Sequence, residues 1–200
     1  MKIVAVEGLD KAGKRATVER LKEKFEADGL TVVDYTFPSE GTPIGQLIQD
    51  WQMDAVSDAR TFELLQAADK QNAQTLFTMC EGFQVDVFLV DRYVHALWAN
   101  GALSCEPAWL AQLTHHMRLP DAVVYLDVDP EVSLMRQGVK LTDKRLSEAR
   151  RIRDAYLASF VGSEMPILQI DANAEPVFVA IEVELVAKRL LDVFDLKVPS

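Results

Sequence analysis

The chain is poor in the features that mark several large protein classes. Its 200 residues include two cysteines and no apolar run of membrane-spanning length, and 31 acidic residues outnumber 21 basic ones, for a net charge of −10. So few cysteines exclude a disulfide scaffold and are typical of a reducing compartment. The acidic balance argues against a nucleic-acid polymer as the main partner, because such binding relies on clustered Lys and Arg. We therefore expect a soluble, cytoplasmic protein with no membrane partner.

What the chain does have is enough apolar sequence for a full core. Hydrophobic residues make up 49% and charged residues 26%, which suits one globular domain over residues 1–200. Short β-branched runs alternate with helical patterns, as in α/β proteins with a parallel sheet. Strands are predicted at 2–6, 31–36, 85–90, 122–127 and 167–170. Helices are predicted at 14–27, 43–51, 59–83, 107–119, 130–136, 147–160 and 176–194.

The segment between the first strand and the first helix carries the most specific motif. It reads Gly8-Leu9-Asp10-Lys11-Ala12-Gly13-Lys14, the pattern G-x-x-x-x-G-K. Backbone N–H groups of such a loop, with the positive end of the following helix, bind phosphate oxygens, and the lysine adds a charge. Glycines can also serve merely to turn a strand into a helix, but the strand–loop–helix context favours a nucleotide phosphate site.

One position departs from this motif. The full pattern ends in Ser or Thr, whose hydroxyl ligates Mg²⁺, whereas this chain has Arg15. On a helix starting at the loop, Arg15 is expected to point towards the phosphates and replace the hydroxyl contact by charge. The alternative is that Arg15 turns to solvent.

Further polar residues follow the other predicted strands, where a parallel sheet places its ligand crevice. Asp91-Arg92 follows the third strand. Asp91 could hold metal-bound water while Arg92 faces the crevice, or the two residues could form a structural ion pair. Thr42-Pro43 after the second strand fits a helix cap, with Thr42 as N-cap. A basic segment from Arg136 to Arg153 fits either a solvated helix face or a phosphate clamp.

Taken together, four motifs resemble the thymidylate kinase family of P-loop nucleoside monophosphate kinases. They are the loop at 8–14, F-P followed by G-T-P-I-G at 37–45, D-R-Y at 91–93, and L-P-D-x-V-x-Y-L-D-V-D-P-E at 119–131. The resemblance implies a P-loop NTPase-type three-layer sandwich, with a five-stranded parallel sheet, a short lid at about 137–146 and a homodimer. It also implies Mg²⁺-dependent transfer of the ATP γ-phosphoryl group to a deoxynucleoside monophosphate.

The resemblance also implies residue roles. Lys14 would grip the donor phosphates, Lys11 the transferring phosphoryl, Asp10 the acceptor sugar, Arg92 the acceptor phosphate, and Asp91 the metal through water. The implied ATP-binding residues are Gly8, Leu9, Asp10, Lys11, Ala12, Gly13, Lys14, Arg15 and Arg136. The implied acceptor-binding residues are Asp10, Phe37, Pro38, Glu40, Gln66, Lys70, Arg92, Tyr93 and Asn100.

The acceptor side departs from the family pattern. Glu40 stands where many members carry an Arg, Gln66 where they carry a base-stacking aromatic residue, and Lys70 where they carry a base-reading Arg. One interpretation is drift, with Glu40 on a solvated loop. The other is a changed base, with Gln66 and Glu40 offering hydrogen-bond acceptors to it.

Three functions therefore stay open. The first is an active kinase for dTMP or a related deoxynucleoside monophosphate. The second is a catalytically weak nucleotide-binding homologue, and the third is a kinase for a modified nucleotide or a nucleoside. The charged residues at 10, 11, 14, 91 and 92 favour the first, because a decayed site would not keep them together.

Overall fold

Five short β-branched segments form a parallel sheet at the centre of the chain. The computed structural model describes residues 1–53 and 58–196, without the side chains of 52 and 53, and all structural statements refer to these parts. The strand order is β2-β3-β1-β4-β5. The strands are β1 (Lys2–Gly8), β2 (Val32–Thr36), β3 (Val87–Asp91), β4 (Ala122–Asp127) and β5 (Ile167–Asp171).

Helices connect the strands and cover both faces of the sheet. They are α1 (Lys14–Ala27), α2 (Pro43–Met53), α3 (Ala59–Asn72), α4 (Gln74–Gly82), α5 (Val94–Gly101), α6 (Pro107–Thr114), α7 (Pro130–Arg136), α8 (Asp143–Phe160) and α9 (Pro176–Phe194). As expected, Thr42 caps α2, since its Oγ1 accepts from the backbone N–H of Gly45 at 3.0 Å.

The two faces of the sheet bury separate hydrophobic cores. On one face, Leu21 and Phe25 of α1 pack with Val186 of α9. On the other, Phe77 of α4 and Tyr156 of α8 pack against the sheet together with α5. The prediction of a three-layer α/β sandwich is therefore confirmed. Residues 54–57 and 197–200 lie outside the described parts, so the single domain over 1–200 stays a prediction.

Two helix predictions were wrong. The helix expected at 59–83 is divided at Ala73 into α3 and α4. The helix α5 was not predicted, because Val94, His95, Ala96, Leu97 and Ala99 are all buried and leave no polar face to give a helical period. Several bounds also shift: α2 ends at Met53 rather than at residue 51, α6 ends earlier than predicted, and α8 begins at Asp143 after the N-cap Thr142.

The register brings the strand ends together at one edge of the sheet. Val6 of β1 and Thr36 of β2 both pair with Asp91 of β3, and Gly8 pairs with Leu126 near the end of β4. The loops that follow these strands therefore meet above the same edge. In the described parts of the chain, no helix combines the length and apolar character needed to span a bilayer.

Candidate active site

The loop between β1 and α1 turns tightly beneath the carboxyl edge of the sheet. Gly8 has a φ of +145°, and a Cβ there would lie 2.6 Å from the carbonyl oxygen of Leu126. Gly13, at the N-cap of α1, has a φ of +102°, and Lys11 lies in the left-handed region at +56°. Residues with positive φ within such a loop point successive backbone N–H groups towards one concave surface, which binds anions.

Lys14 lies within this loop rather than at the surface. Its side chain is buried, and its Nζ donates to the carbonyl oxygens of Gly8 at 3.1 Å and Leu9 at 2.7 Å. Burial, helped by the charge of Arg92, lowers the pKa of Lys14 to about 8, against the opposing effect of Asp91 and Asp10. A nearby anion would stabilise the charged form, as a bound phosphate would.

Asp91 ends β3, Arg92 follows it, and both line a cavity with this loop. Arg92 has a φ of +65°, and its guanidinium forms an ion pair with Asp10. Burial would raise the pKa of Asp10, but the charge of Arg92 and its hydrogen bond outweigh burial and lower it. Asp91 is buried, and its Oδ1 has no hydrogen-bond partner within the described residues. Burial raises the pKa of Asp91, with the charge of Lys14 as the largest opposing effect.

A cavity of about 310 Å³ opens beside this charged cluster, between the Phe37-Pro38 loop, α3 and α5. We call it the α3 cavity. Most of the residues expected at an acceptor site line it, namely Asp10, Phe37, Pro38, Gln66, Lys70, Arg92 and Asn100. Sequence reasoning missed four further lining residues, which are Phe62, Glu63, Ala96 and Leu97.

Lys70 forms the floor of the α3 cavity. It is only 2% exposed, its Nζ donates to Gln66 Oε1 at 3.1 Å, and it lies 4.9 Å from the centre of the Phe37 ring. Burial lowers its pKa to about 8, opposed by Asp69, Glu7 and Glu63. Lys70 is thus a cation held among carboxylates and an aromatic ring.

A second cavity lies on the other side of the phosphate loop. We call it the α9 cavity, and Lys11, Ala12, Gly13, Arg136, Ala172 and Pro176 are among its lining residues. Arg136 is held there because its Nη1 donates to the carbonyl oxygen of Ala172 at 2.9 Å. The expected donor-side residues Lys11, Ala12, Gly13 and Arg136 are therefore together.

A third cavity reaches the segment at 137–146 that was predicted as a lid. Gln137, Val139 and Arg145 line it with Asp10 and Arg92, as does Tyr156 of α8. Other members of the basic segment are paired elsewhere: Arg153 bonds Asp127 at 2.6 and 2.7 Å, and Arg151 donates to the carbonyl oxygens of Ala102 and Leu103. Arg145 is thus the basic residue of this segment that borders the charged cluster at the sheet edge.

Comparison with known proteins agrees with this geometry. Residues 6–181 match the family described as thymidylate kinase. The chain belongs to the thymidylate kinase family. A probable thymidylate kinase of Pyrobaculum aerophilum is 30% identical over 199 residues, covering 96% of this chain and 98% of the relative. A probable thymidylate kinase of Methanosphaera stadtmanae is 27% identical over 175 residues, covering 85% of this chain and 89% of the relative. The thymidylate kinase of Mycobacterium tuberculosis is 29% identical over 77% of each chain. As a family member, the chain is an ATP-dependent phosphotransferase.

Arg15, the departure from the thymidylate kinase motif, turns to solvent. Its side chain is 79% exposed and its Nε bonds Glu19 Oε1 at 3.1 Å. The expectation that its guanidinium points at the phosphates is not met, because the i, i+4 carboxylate on α1 holds it along the helix surface. Arg15 still borders the cavity that Lys14, Asp91 and Arg92 line.

Two residues expected to bind the acceptor lie outside the α3 cavity. Glu40 is exposed and borders a separate depression with Arg15 and Asp91. Tyr93 is fully buried, and its hydroxyl accepts from Gln74 Nε2 and donates to the carbonyl oxygen of Arg118, both at 2.8 Å. Its ring supports the cavity indirectly, since it stacks on Phe37 at 5.8 Å.

Glu7, which sequence reasoning missed, orders the loop that carries Arg92. Its Oε1 accepts from the backbone N–H of Tyr93 at 2.7 Å and of Ala96 at 3.3 Å, and its Oε2 accepts from the Tyr156 hydroxyl at 3.2 Å. Burial raises its pKa, although the two backbone hydrogen bonds and the charges of Arg92 and Lys14 oppose the effect. The available signal was a Glu directly after the apolar run at 3–6, since a carboxylate in such a position is rarely buried unless paired.

Proposed function

We propose that the chain transfers the γ-phosphoryl group of ATP to the phosphate of dTMP or a related deoxynucleoside monophosphate. One observation carries the proposal. Asp10 and Arg92 line both the phosphate-loop cavity, with Lys14 and Asp91, and the α3 cavity. A donor phosphate in the first and an acceptor phosphate in the second would meet at this ion pair, which is the alignment that phosphoryl transfer requires.

The chemistry needs little from the protein beyond alignment and charge. An oxygen of the acceptor phosphate forms the new bond to the γ-phosphorus, the bond to the β,γ-bridging oxygen breaks, and ADP leaves with that oxygen. Lys14 would neutralise charge on the donor phosphates, Lys11 on the transferring group, and Arg92 on the acceptor phosphate. Asp10 would hold Arg92 in place and reach the acceptor sugar.

The residues present fit the Mg²⁺ that the family uses with ATP. The unpartnered, buried Oδ1 of Asp91 is an acceptor suited to hold metal-bound water. Mg²⁺ supplies charge neutralisation of the β- and γ-phosphate oxygens. Arg15 offers no hydroxyl to the metal, so in this chain Asp91, water and the phosphates themselves would hold it.

The deciding experiment is an assay of ADP release with Mg-ATP and each ribo- and deoxynucleoside monophosphate. We expect turnover with at least one deoxypyrimidine monophosphate. ADP release with nucleosides alone would replace the proposal by a nucleoside kinase. Nucleotide binding without ADP release for any acceptor would replace it by a catalytically weak binding homologue.

We further propose that the protein is a cytoplasmic homodimer. Support for the dimer comes from family membership and from exposed apolar side chains such as Leu64 on α3, Met79 on α4 and Phe83 at the C-cap of α4. Support for the cytoplasm comes from two thiols, Cys80 and Cys105, that are free. Light scattering after size exclusion tests it, and a mass near 22.4 kDa would contradict the dimer.

A further inference from the structure

The two helical walls of the α3 cavity differ sharply in polarity. On α3, Glu63, Gln66 and Lys70 follow one another at i, i+3 and i+7, so they share one helix face. The facing wall on α5 consists of Ala96, Leu97 and Asn100, and Asn100 Nδ2 already donates to the carbonyl oxygen of Ala96 at 2.7 Å. The ionisable groups that these two helices offer a ligand therefore come from α3 alone.

Glu63 is a buried carboxylate without an ion pair in the described parts of the chain. Its exposure is 7%, and the end of α5 makes space for it, since a Cβ at Gly101 would lie 3.2 Å from Glu63 Cδ. Burial raises the pKa of Glu63 to about 7, and the charge of Lys70 opposes this effect. Acidic groups are almost never buried unless paired, so a partner from the cavity is expected.

Gln66 and Lys70 present the opposite hydrogen-bonding character. Because Gln66 Oε1 accepts from Lys70 Nζ, the amide N–H groups of Gln66 remain to donate elsewhere. The ammonium of Lys70 has further N–H donors, and Phe37 holds it from the side. The α3 wall thus offers one acceptor, at Glu63, and donors at Gln66 and Lys70.

We propose that this wall selects a 4-aminopyrimidine as the acceptor base, with Glu63 accepting from the exocyclic amino group and Gln66 and Lys70 donating to the ring nitrogen and carbonyl. The inference rests on the proposed function and narrows its substrate class. Carboxylates pair with the N4 amino group of cytosine in direct base recognition. Thymine presents a carbonyl oxygen at the same position, and the Glu63 carboxylate would repel it.

The test compares two acceptors that differ at this edge alone. These are 5-methyl-dCMP and dTMP, which share the 5-methyl group, assayed about one pH unit above the pKa of Glu63 so that the carboxylate is ionised. We expect kcat/KM for 5-methyl-dCMP to exceed that for dTMP by about 10-fold or more, within the discrimination that a good base contact gives. A higher kcat/KM for dTMP would overturn the inference.

A variant then assigns the preference to Glu63. Glu63→Gln keeps the shape, removes the charge and adds donors, so the preference ratio should fall at least about 10-fold. The matched control is Glu106→Gln, which neutralises an exposed carboxylate paired with Arg60 and should leave the ratio unchanged. An equal loss for both acceptors in Glu63→Gln would also overturn the inference.

Binding separates failure of this inference from failure of the proposed function. Calorimetric titration of wild type with each monophosphate alone should give a Kd about 10-fold lower for 5-methyl-dCMP. If that preference holds while no monophosphate supports ADP release, the proposed function fails and the base assignment stands. Equal Kd values, or tighter binding of dTMP, would overturn the base assignment whatever the turnover.

Discussion

At the scale of single residues, the Asp10–Arg92 ion pair joins the two halves of the site. Three contacts hold Arg92 in place. Its guanidinium forms an ion pair with Asp10, and its backbone N–H donates to the carbonyl oxygen of Val6 at 3.1 Å. Glu7 also accepts a hydrogen bond from the backbone N–H of the residue that follows it. Such a preorganised cation need not reorganise when charge develops, which is the main source of electrostatic catalysis.

Removal of either central cation should therefore abolish most activity and leave the fold intact. We expect Lys14→Ala and Arg92→Ala each to lower kcat/KM by about 10²–10³, the typical cost of losing one preorganised donor. Lys22→Ala is the control, because Lys22 pairs with Asp34 on the surface at 2.6 Å. Circular dichroism checks the fold, and near-normal kcat/KM with every acceptor would refute the role of that residue.

The exposed position of Arg15 has its own consequence for metal use. Without a hydroxyl at this position, the metal relies on Asp91, water and phosphate, so we expect weak Mg²⁺ affinity. Arg15→Ser restores the hydroxyl and should lower the Mg²⁺ concentration that gives half-maximal rate. Titration of the rate with Mg²⁺ measures this, and an unchanged or higher requirement would count against a metal-binding hydroxyl here.

Whether a site residue can be predicted from the sequence depends on whether it lies at the end of a strand. Lys14, Asp91 and Arg92 could be placed together because parallel strands end at one edge. Glu63 could not, because only the folded chain shows that it lines the α3 cavity and packs near Gly101. Glu40 was assigned to the acceptor site with Gln66, but it is exposed and lies outside the α3 cavity, because sequence order along a loop does not give the direction of a side chain.

At the scale of elements, α5 shows why a fully buried helix is hard to predict. Its segment has no polar face, and its one ionisable side chain, His95, lies among the aromatic rings of Trp98 and Phe160, 5.0 and 5.5 Å away. The core therefore holds His95 neutral, and burial lowers its pKa to about 4. The helix that forms the wall facing α3 in this cavity thus depends on an uncharged histidine.

This burial predicts a pH-dependent stability. Between the ordinary pKa of histidine, about 6.5, and the folded value, the unfolded chain binds a proton that the folded chain does not. Above pH about 6.5, His95 is neutral in both the folded and the unfolded chain, and its contribution to stability is fully present. As the pH falls from there towards the folded pKa, the free energy of unfolding decreases by an amount on the order of 1–3 kcal/mol. Chemical unfolding at several pH values measures the slope, which should be shallower in His95→Phe. An equal slope in both proteins would show that the pKa of His95 does not differ between the folded and the unfolded chain.

At the scale of the whole molecule, a strongly acidic protein holds a cluster of buried and half-buried cations at one edge of its sheet. Lys14, Lys70 and Arg92 are each surrounded by carboxylates that moderate their charge, and together they border the cavities that meet above the edge. The negative surface and positive cleft suit a small anionic ligand better than a polyanion, because a polymer would meet the acidic exterior.

Ligand binding at this cleft should raise the stability of the entire chain. A non-hydrolysable ATP analogue with Mg²⁺ at about 100 times its Kd should add about 2.7 kcal/mol, because it binds the folded state alone. For a chain of this size that corresponds to a rise in Tm of about 5–10 °C. Lys14→Ala should lose most of this shift, since the phosphates would then lack the cation in the loop, whereas Lys22→Ala should keep it. A full shift in Lys14→Ala would mean that the nucleotide binds elsewhere.

In wild type, a full shift without any ADP release would indicate the binding homologue rather than the kinase. The thermal measurement and the turnover assay together therefore separate recognition of the nucleotide from transfer of its phosphoryl group.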